Sequence, residues 1–289
     1  MIVHNFNPIL IDLGFLEVRW YSISYIAGII LGWLYAVNII NKNSKYKYSS
    51  FQNTKKDFDD LIIYLIIGII LGGRLGYVFF YNIEYYIQNF LEIFKIWQGG
   101  MSFHGGLVGV IIATLIFSKN KKTSFFIYTD IICCAAPIGL FLGRIANFIN
   151  GELYGKISNI PWAIIFPQAG NFGRHPSQIY EAILEGLILF AIINFFALKK
   201  QMLRRNGYIS GLFLILYSLF RSFSEIFREP DKHLGYFFDY FSMGTLLSIV
   251  TFLAGCFIIF YIRNNEQNNQ YIKRKKIYSF RSIYQYFAL

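Results

Sequence analysis

Gly143-Arg-Ile-Ala-Asn-Phe-Ile-Asn-Gly-Glu-Leu-Tyr-Gly155 closes an apolar run that begins at Phe125. At about 1.5 Å per residue, such a run is long enough to cross about 30 Å of hydrocarbon. Its end carries an arginine, two asparagines and a glutamate, which are costly at the edge of a bilayer unless something charged binds among them. The fold reading follows from the run, and the functional reading from its polar end.

Outward from this stretch, further apolar runs lie at about 20–40, 61–81, 100–118, 177–198, 207–227 and 240–262, in a chain of 289 residues that is 55% hydrophobic. With 125–148 they make seven spans, so the fold class expected is an all-α integral membrane protein with seven transmembrane helices. Basic residues alternate between the connections. Lys42, Lys45, Lys47, Lys55 and Lys56 follow the first span, Lys119, Lys121 and Lys122 the third, Lys199, Lys200, Arg204 and Arg205 the fifth. Arg263, Lys273, Arg274, Lys275, Lys276 and Arg281 follow the seventh, whereas the other segments hold only Arg19, Lys95, Lys156, Arg174, Arg228 and Lys232. The positive-inside rule then puts the N-terminus outside and the C-terminus in the cytoplasm. The same asymmetry explains the net charge of +11 as attraction to anionic lipid headgroups rather than to nucleic acid.

Asp12 and Glu17 precede the first run and no basic n-region is present, so the N-terminus is expected to stay as a span and not as a cleaved signal peptide. The three cysteines, Cys133, Cys134 and Cys256, sit inside apolar runs and have neither disulfide nor zinc spacing. The connection 149–176 is too long to be bare, and Pro161-Trp-Ala-Ile-Ile-Phe166 reads as a short strand in a small extracytoplasmic cap. Residues 1–263 form the catalytic domain on this reading. Residues 264–289 form a cytoplasmic basic tail, mobile or lying on the membrane surface.

Orientation assigns depth. Arg74, Arg144, Asn147, Tyr217, Arg221 and Glu225 fall toward span ends that emerge outside; Tyr25, His104, Gln178, Glu181 and Glu185 fall near the starts of spans that enter from outside. Tyr217, Arg221 and Glu225 are spaced i, i+4, i+8, and Gln178, Glu181 and Glu185 i, i+3, i+7, so each set occupies one helical face. Charged faces converge on an enclosed polar pocket, because lipid tails cannot satisfy them. Taken singly, Arg221–Glu225 is an ordinary helical ion pair and His104 a satisfied interfacial residue; their shared depth is what points to a site. Gly72, Gly73 and Gly76 around Arg74, and Gly105, Gly106 and Gly109 after His104, allow close backbone approach.

Arginine stays charged and offers a planar fork to phosphate oxygens. Arg74, Arg144, Arg221 and Arg228 are therefore expected to serve an anion beyond their partners Glu152, Glu181, Glu185 and Glu225, and in a bilayer that anion is a phospholipid headgroup. His4, His104, His175 and His233 form no ligand pair at helical spacing, so no metal and no cofactor is expected.

Several separated motifs resemble bacterial phosphatidylglycerol–prolipoprotein diacylglyceryl transferases, in order: Arg19-Trp-Tyr-Ser-Ile-Ser-Tyr25, Gly72-Gly-Arg-Leu-Gly-Tyr77, His104-Gly-Gly-Leu107, the 143–155 stretch, His175-Pro-Ser-Gln-Ile-Tyr-Glu181, and Tyr217-Ser-Leu-Phe-Arg221 leading to Arg228-Glu-Pro-Asp231. The resemblance implies a multi-pass enzyme of the bacterial inner membrane. It would move the diacylglyceryl group of phosphatidylglycerol onto the lipobox cysteine of a lipoprotein precursor and release glycerol phosphate. Its catalytic candidates are His104 as general base, Arg221 at the departing phosphate, and Tyr217 and Tyr25 as hydrogen-bonding alternatives. Its substrate-binding candidates are Arg144, Asn147, Asn150, Glu152, Gly155, Arg74, Glu225 and Arg228. The competing readings are a non-catalytic phospholipid-binding membrane protein and a transporter.

Overall fold

The computed structural model describes residues 2–14, 17–44, 54–96, 99–230, 236–237 and 241–287. Of the residues named above, Lys45, Lys47, Asp231, Lys232 and His233 lie outside the described residues.

The chain is a mostly helical, multi-pass membrane protein. In order it forms β1 (Ile2–Val3), β2 (Ile9–Asp12), β3 (Glu17–Arg19), α1 (Trp20–Ser44), α2 (Thr54–Tyr81), α3 (Ile83–Gln88), α4 (Phe103–Asn120), α5 (Phe125–Asn150), β4 (Ile164–Ile165) and β5 (Gly173–Arg174). Next come α6 (Ser177–Glu181), a π turn (Ala182–Ile188), α7 (Leu189–Asn194), a second π turn (Phe195–Lys199), α8 (Tyr208–Glu225), β6 (Tyr236–Phe237), β7 (Phe241–Ser242) and α9 (Met243–Phe287). Helix lies at each of the seven apolar runs. Among the described residues, five helical stretches are long and apolar enough to cross a membrane: Trp20–Lys42, Lys56–Tyr81, Phe125–Asn150, Ser177–Lys199 and Met243–Glu266. The apolar part of α4, His104–Asn120, is shorter, and α8 carries Arg221 and Glu225 in its last turns. The segment expected to be a mobile or surface-lying tail continues α9 to Phe287; it contains no Gly or Pro to stop a helix.

The chain divides into two compact units, residues 1–31 with 133–289, and residues 32–132. In the second unit α2 packs on α4 through glycines four residues apart. A methyl group at Gly68 would stand 2.6 Å from the Gly109 carbonyl oxygen, and one at Gly76 2.7 Å from the Gly105 Cα. Helices without side chains at the contact approach closely enough for dispersion between backbones to hold them together in lipid. Gly109→Ala would drive its methyl into the Gly68 carbonyl. We expect it to destabilise the protein by about 1–3 kcal/mol, read as a lower melting temperature in detergent; an unchanged melting temperature would show that the helices separate freely.

In the first unit, α8 packs on α9, with the hydroxyls of Ser218 and Thr251 2.6 Å apart. A three-stranded sheet has the order β1-β4-β5, with β1 parallel to β4 and β4 antiparallel to β5. The strand expected within 161–166 is β4; its pairing with the first residues of the chain was not legible in the sequence. His4 fastens this sheet to the end of α5, its Nε2 lying 2.6 Å from the Phe148 carbonyl oxygen.

Candidate active site

The polar end of α5 is built around the helix exit at Gly151, which has φ +68°, a conformation that glycine adopts without strain. The chain turns there and brings Glu152 back onto the helix. Asn147 Nδ2 donates to Glu152 Oε1 at 2.8 Å, and Asn150 Nδ2 to the same oxygen at 3.3 Å. Gln178, at the start of α6, donates Nε2 to the Glu152 main-chain oxygen at 2.7 Å. Gly155 pairs with Arg228 as an isolated bridge, and a methyl group there would stand 2.5 Å from the His175 carbonyl oxygen. Gly155 is thus required by close backbone approach.

Beside this turn lies an ion-pair cluster. Glu181 and Glu185 are wholly buried and lie on either side of the entry to the first π turn, a form of helix that recurs at functional sites. Arg144 Nη1 lies 2.9 Å from Glu181 Oε2 and its Nη2 3.1 Å from Glu185 Oε2. Arg221 Nη1 lies 2.6 Å from Glu181 Oε1, and its Nη2 2.7 Å from Glu225 Oε2. Arg228 Nη1 donates to Glu181 Oε1 at 3.2 Å. Glu181 therefore holds all three guanidinium groups. Ser242 donates to Glu225 Oε1 at 2.8 Å, fixing that carboxylate from the end of β7, just before α9. Tyr217 lies within electrostatic reach of Glu185, Arg144 and Arg221. Tyr21 lies within reach of Glu152 and Arg144, and its hydroxyl is 3.1 Å from that of Tyr25.

The convergence expected of the two helical faces is present. Arg144, Arg221 and Arg228 face Glu181, Glu185 and Glu225, three charges of each sign. Arg74 belongs to the other unit and is engaged differently. It donates Nε to the Ile93 carbonyl (2.8 Å), Nη1 to Gly99 (2.5 Å) and Gly100 (3.2 Å), and Nη2 to Glu92 (2.6 Å) and Lys95 (3.3 Å). Those bonds use its five N–H donors, so in this structure Arg74 shapes the segment leading into α4. His104, in the same unit, is exposed in the first turn of α4. That turn is capped by Ser102, whose hydroxyl oxygen accepts from the Gly105 N–H at 3.2 Å.

At the start of the stretch Ser177–Lys199, Trp162 Nε1 donates to the Tyr180 hydroxyl at 2.8 Å, and that oxygen lies 3.2 Å from Nδ1 of His175, which precedes the stretch. Partial burial, with the Lys156 ammonium adding to it, lowers the His175 pKa from its usual value. Among the described residues no group of three His, Cys, Asp or Glu side chains is placed to hold a metal ion.

A model of the prolipoprotein diacylglyceryl transferase family matches residues 8–261. The chain belongs to this family. It is 51% identical over 255 residues to the phosphatidylglycerol–prolipoprotein diacylglyceryl transferase of Rickettsia bellii (strain OSU 85-389), covering 88% of this chain and 95% of that protein. The Rickettsia felis protein of the same name is also 51% identical over 255 residues, covering 88% and 96%. That of Rickettsia canadensis is 50% identical over 259 residues, covering 90% and 98%. The matched region contains every residue of the ion-pair cluster. Glu181 and Glu185 were visible in the sequence as a helical face and as partners of the arginines, but which guanidinium each meets was not, because that depends on packing between helices.

Proposed function

We propose that this chain transfers the diacylglyceryl group of phosphatidylglycerol to the thiol of the lipobox cysteine in a lipoprotein precursor, releasing glycerol phosphate. The observation that carries the reading is the cluster of three guanidinium groups held by buried carboxylates in a member of this family. The cysteine sulfur, as thiolate, attacks the glycerol carbon that bears the phosphate. The carbon–oxygen bond breaks, its electron pair leaves with the phosphate, and the thiol proton passes to a base. Arg144 and Arg221 have side chains 16% and 12% exposed and N–H donors beyond those that face carboxylates. They hold the phosphate and stabilise the charge that grows on it as the bond breaks. Asn147 and Glu152 shape the turn beside Arg144, Glu225 orients Arg221, and Arg228 completes the cluster. His104 is the general base, with Tyr25 and Tyr217 as hydrogen-bonding groups. The chain crosses the bacterial inner membrane seven times, α4 and α8 included, with the N-terminus and the β1-β4-β5 sheet outside and the C-terminus in the cytoplasm; the distribution of Lys and Arg supports this orientation.

The test is direct transfer: purified protein in phosphatidylglycerol vesicles with a synthetic lipobox peptide, following peptide mass and released glycerol phosphate. A diacylglyceryl mass increase is expected, reduced about 10²–10⁴-fold in His104→Gln. Folded protein that binds the lipid but yields no thioether would favour the lipid-binding reading, and full turnover in His104→Gln would remove His104 as base.

A further inference from the structure

The carboxylate beside Arg221 rests where β7 passes into α9. Glu225 ends α8, and one of its oxygens, Oε2, lies 2.7 Å from Arg221 Nη2. The other, Oε1, accepts from the hydroxyl of Ser242, itself a buried residue. Ser242 has one O–H proton, and Glu225, paired with Arg221, has none to give. The Ser242 proton therefore points to Glu225, and the Thr245 hydroxyl, 3.1 Å from Ser242 Oγ, donates to Ser242. Ser242 Oγ also accepts the Thr245 N–H at 3.2 Å, which caps α9. Gly244, between them, supplies the floor. A methyl group there would stand 2.8 Å from Cδ and from both carboxylate oxygens of Glu225. Glycine lets the carboxylate lie against the backbone, at a helix end whose N–H groups favour negative charge.

Resting on the transfer reading above, we infer that Ser242 and Gly244 are positioning residues: they seat Glu225, and Glu225 holds the Arg221 guanidinium in the orientation that meets the departing phosphate. Glu181 takes Nη1 of Arg221 and Glu225 takes Nη2, so the plane of the guanidinium is fixed at two points. The first point comes from α6, and the second depends on the start of α9. Arg144 is tied to Glu181 and Glu185 and does not touch this seat, so it keeps the lipid phosphate bound when the seat is disturbed. The loss then falls on the transition state, where the charge that Arg221 meets is largest.

The test is peptide transfer by Ser242→Gly, because glycine caps a helix nearly as well as serine and adds no atoms. Its kcat is expected to fall about tenfold, as for loss of a hydrogen bond to a charged group, with the KM for phosphatidylglycerol within about twofold of wild type. Ser242→Thr keeps the hydroxyl and restores most of the rate, and Gly244→Ala, whose methyl displaces the carboxylate, loses as much as Ser242→Gly. In a Glu225→Gln background Ser242→Gly costs little more, because the two residues act as a unit. Nitrogen NMR of labelled arginine reads the guanidinium itself: the two Nη resonances of Arg221, assigned by their absence from Arg221→Lys, are separate in wild type and merge in Ser242→Gly. Wild-type kcat in Ser242→Gly, a loss confined to KM, or the full loss persisting in Glu225→Gln would each overturn the inference. If Gly244→Ala fails to fold, Ser242→Gly decides. Resonances that merge in a protein that transfers nothing would keep the seat and remove the transfer reading.

Discussion

Arg144→Ala is expected to lower diacylglyceryl transfer by about 10²–10³-fold, the usual loss when a preorganised donor to a developing negative charge is removed. Arg144 links α5 to both buried glutamates, so its loss also leaves Glu181 Oε2 and Glu185 Oε2 without their ion partner. Arg144→Lys separates the two effects. Lysine keeps the charge, but its single ammonium cannot reproduce the planar fork; we expect more stability than in the alanine variant and a persistent loss of turnover. Transfer within a few-fold of wild type in a folded Arg144→Ala protein would move the phosphate site elsewhere.

Glu181→Ala is expected to destabilise the protein by about 3–5 kcal/mol, because removing one partner of a buried pair leaves the other charge uncompensated. Here three partners are affected: Arg144, Arg221 and Arg228. Denaturation in detergent would measure the loss, and transfer should fall with it because the guanidinium groups are no longer held. Glu181→Gln keeps the volume and one acceptor, so it should unfold between the alanine variant and wild type. If Glu181→Ala melted like wild type, the cluster would not depend on this carboxylate.

Much of the fold was legible because a bilayer leaves few options: apolar runs at 20–40 and 125–148 became α1 and α5 with nearly the same bounds. The face carrying Gln178, Glu181 and Glu185 was legible from spacing, and it is buried as expected. The π turns were not, since nothing in Ala182–Ile188 distinguishes a wider turn from an α-helix by composition. Nor was the role of Arg74. An arginine in an apolar run signals a partner, but five main-chain carbonyls from a distant segment leave no side-chain signature. Glycine spacing did show that the second and third spans can approach other backbones closely, because the feature that permits it is itself a residue type; that α2 and α4 approach each other came from the structure.

The ion-pair cluster also constrains how the protein is made. Arg144 emerges from the ribosome before Glu181 and Glu185, and Arg221 after both. A charge on a lone helix raises its insertion free energy, by about 2.5–3.5 kcal/mol at the centre of the bilayer and by less toward the span end where Arg144 lies. At about 5–20 residues per second, α5 therefore waits some seconds for its first counter-charge. The cluster can close only after α6 and α8, which are made after α5, have joined it.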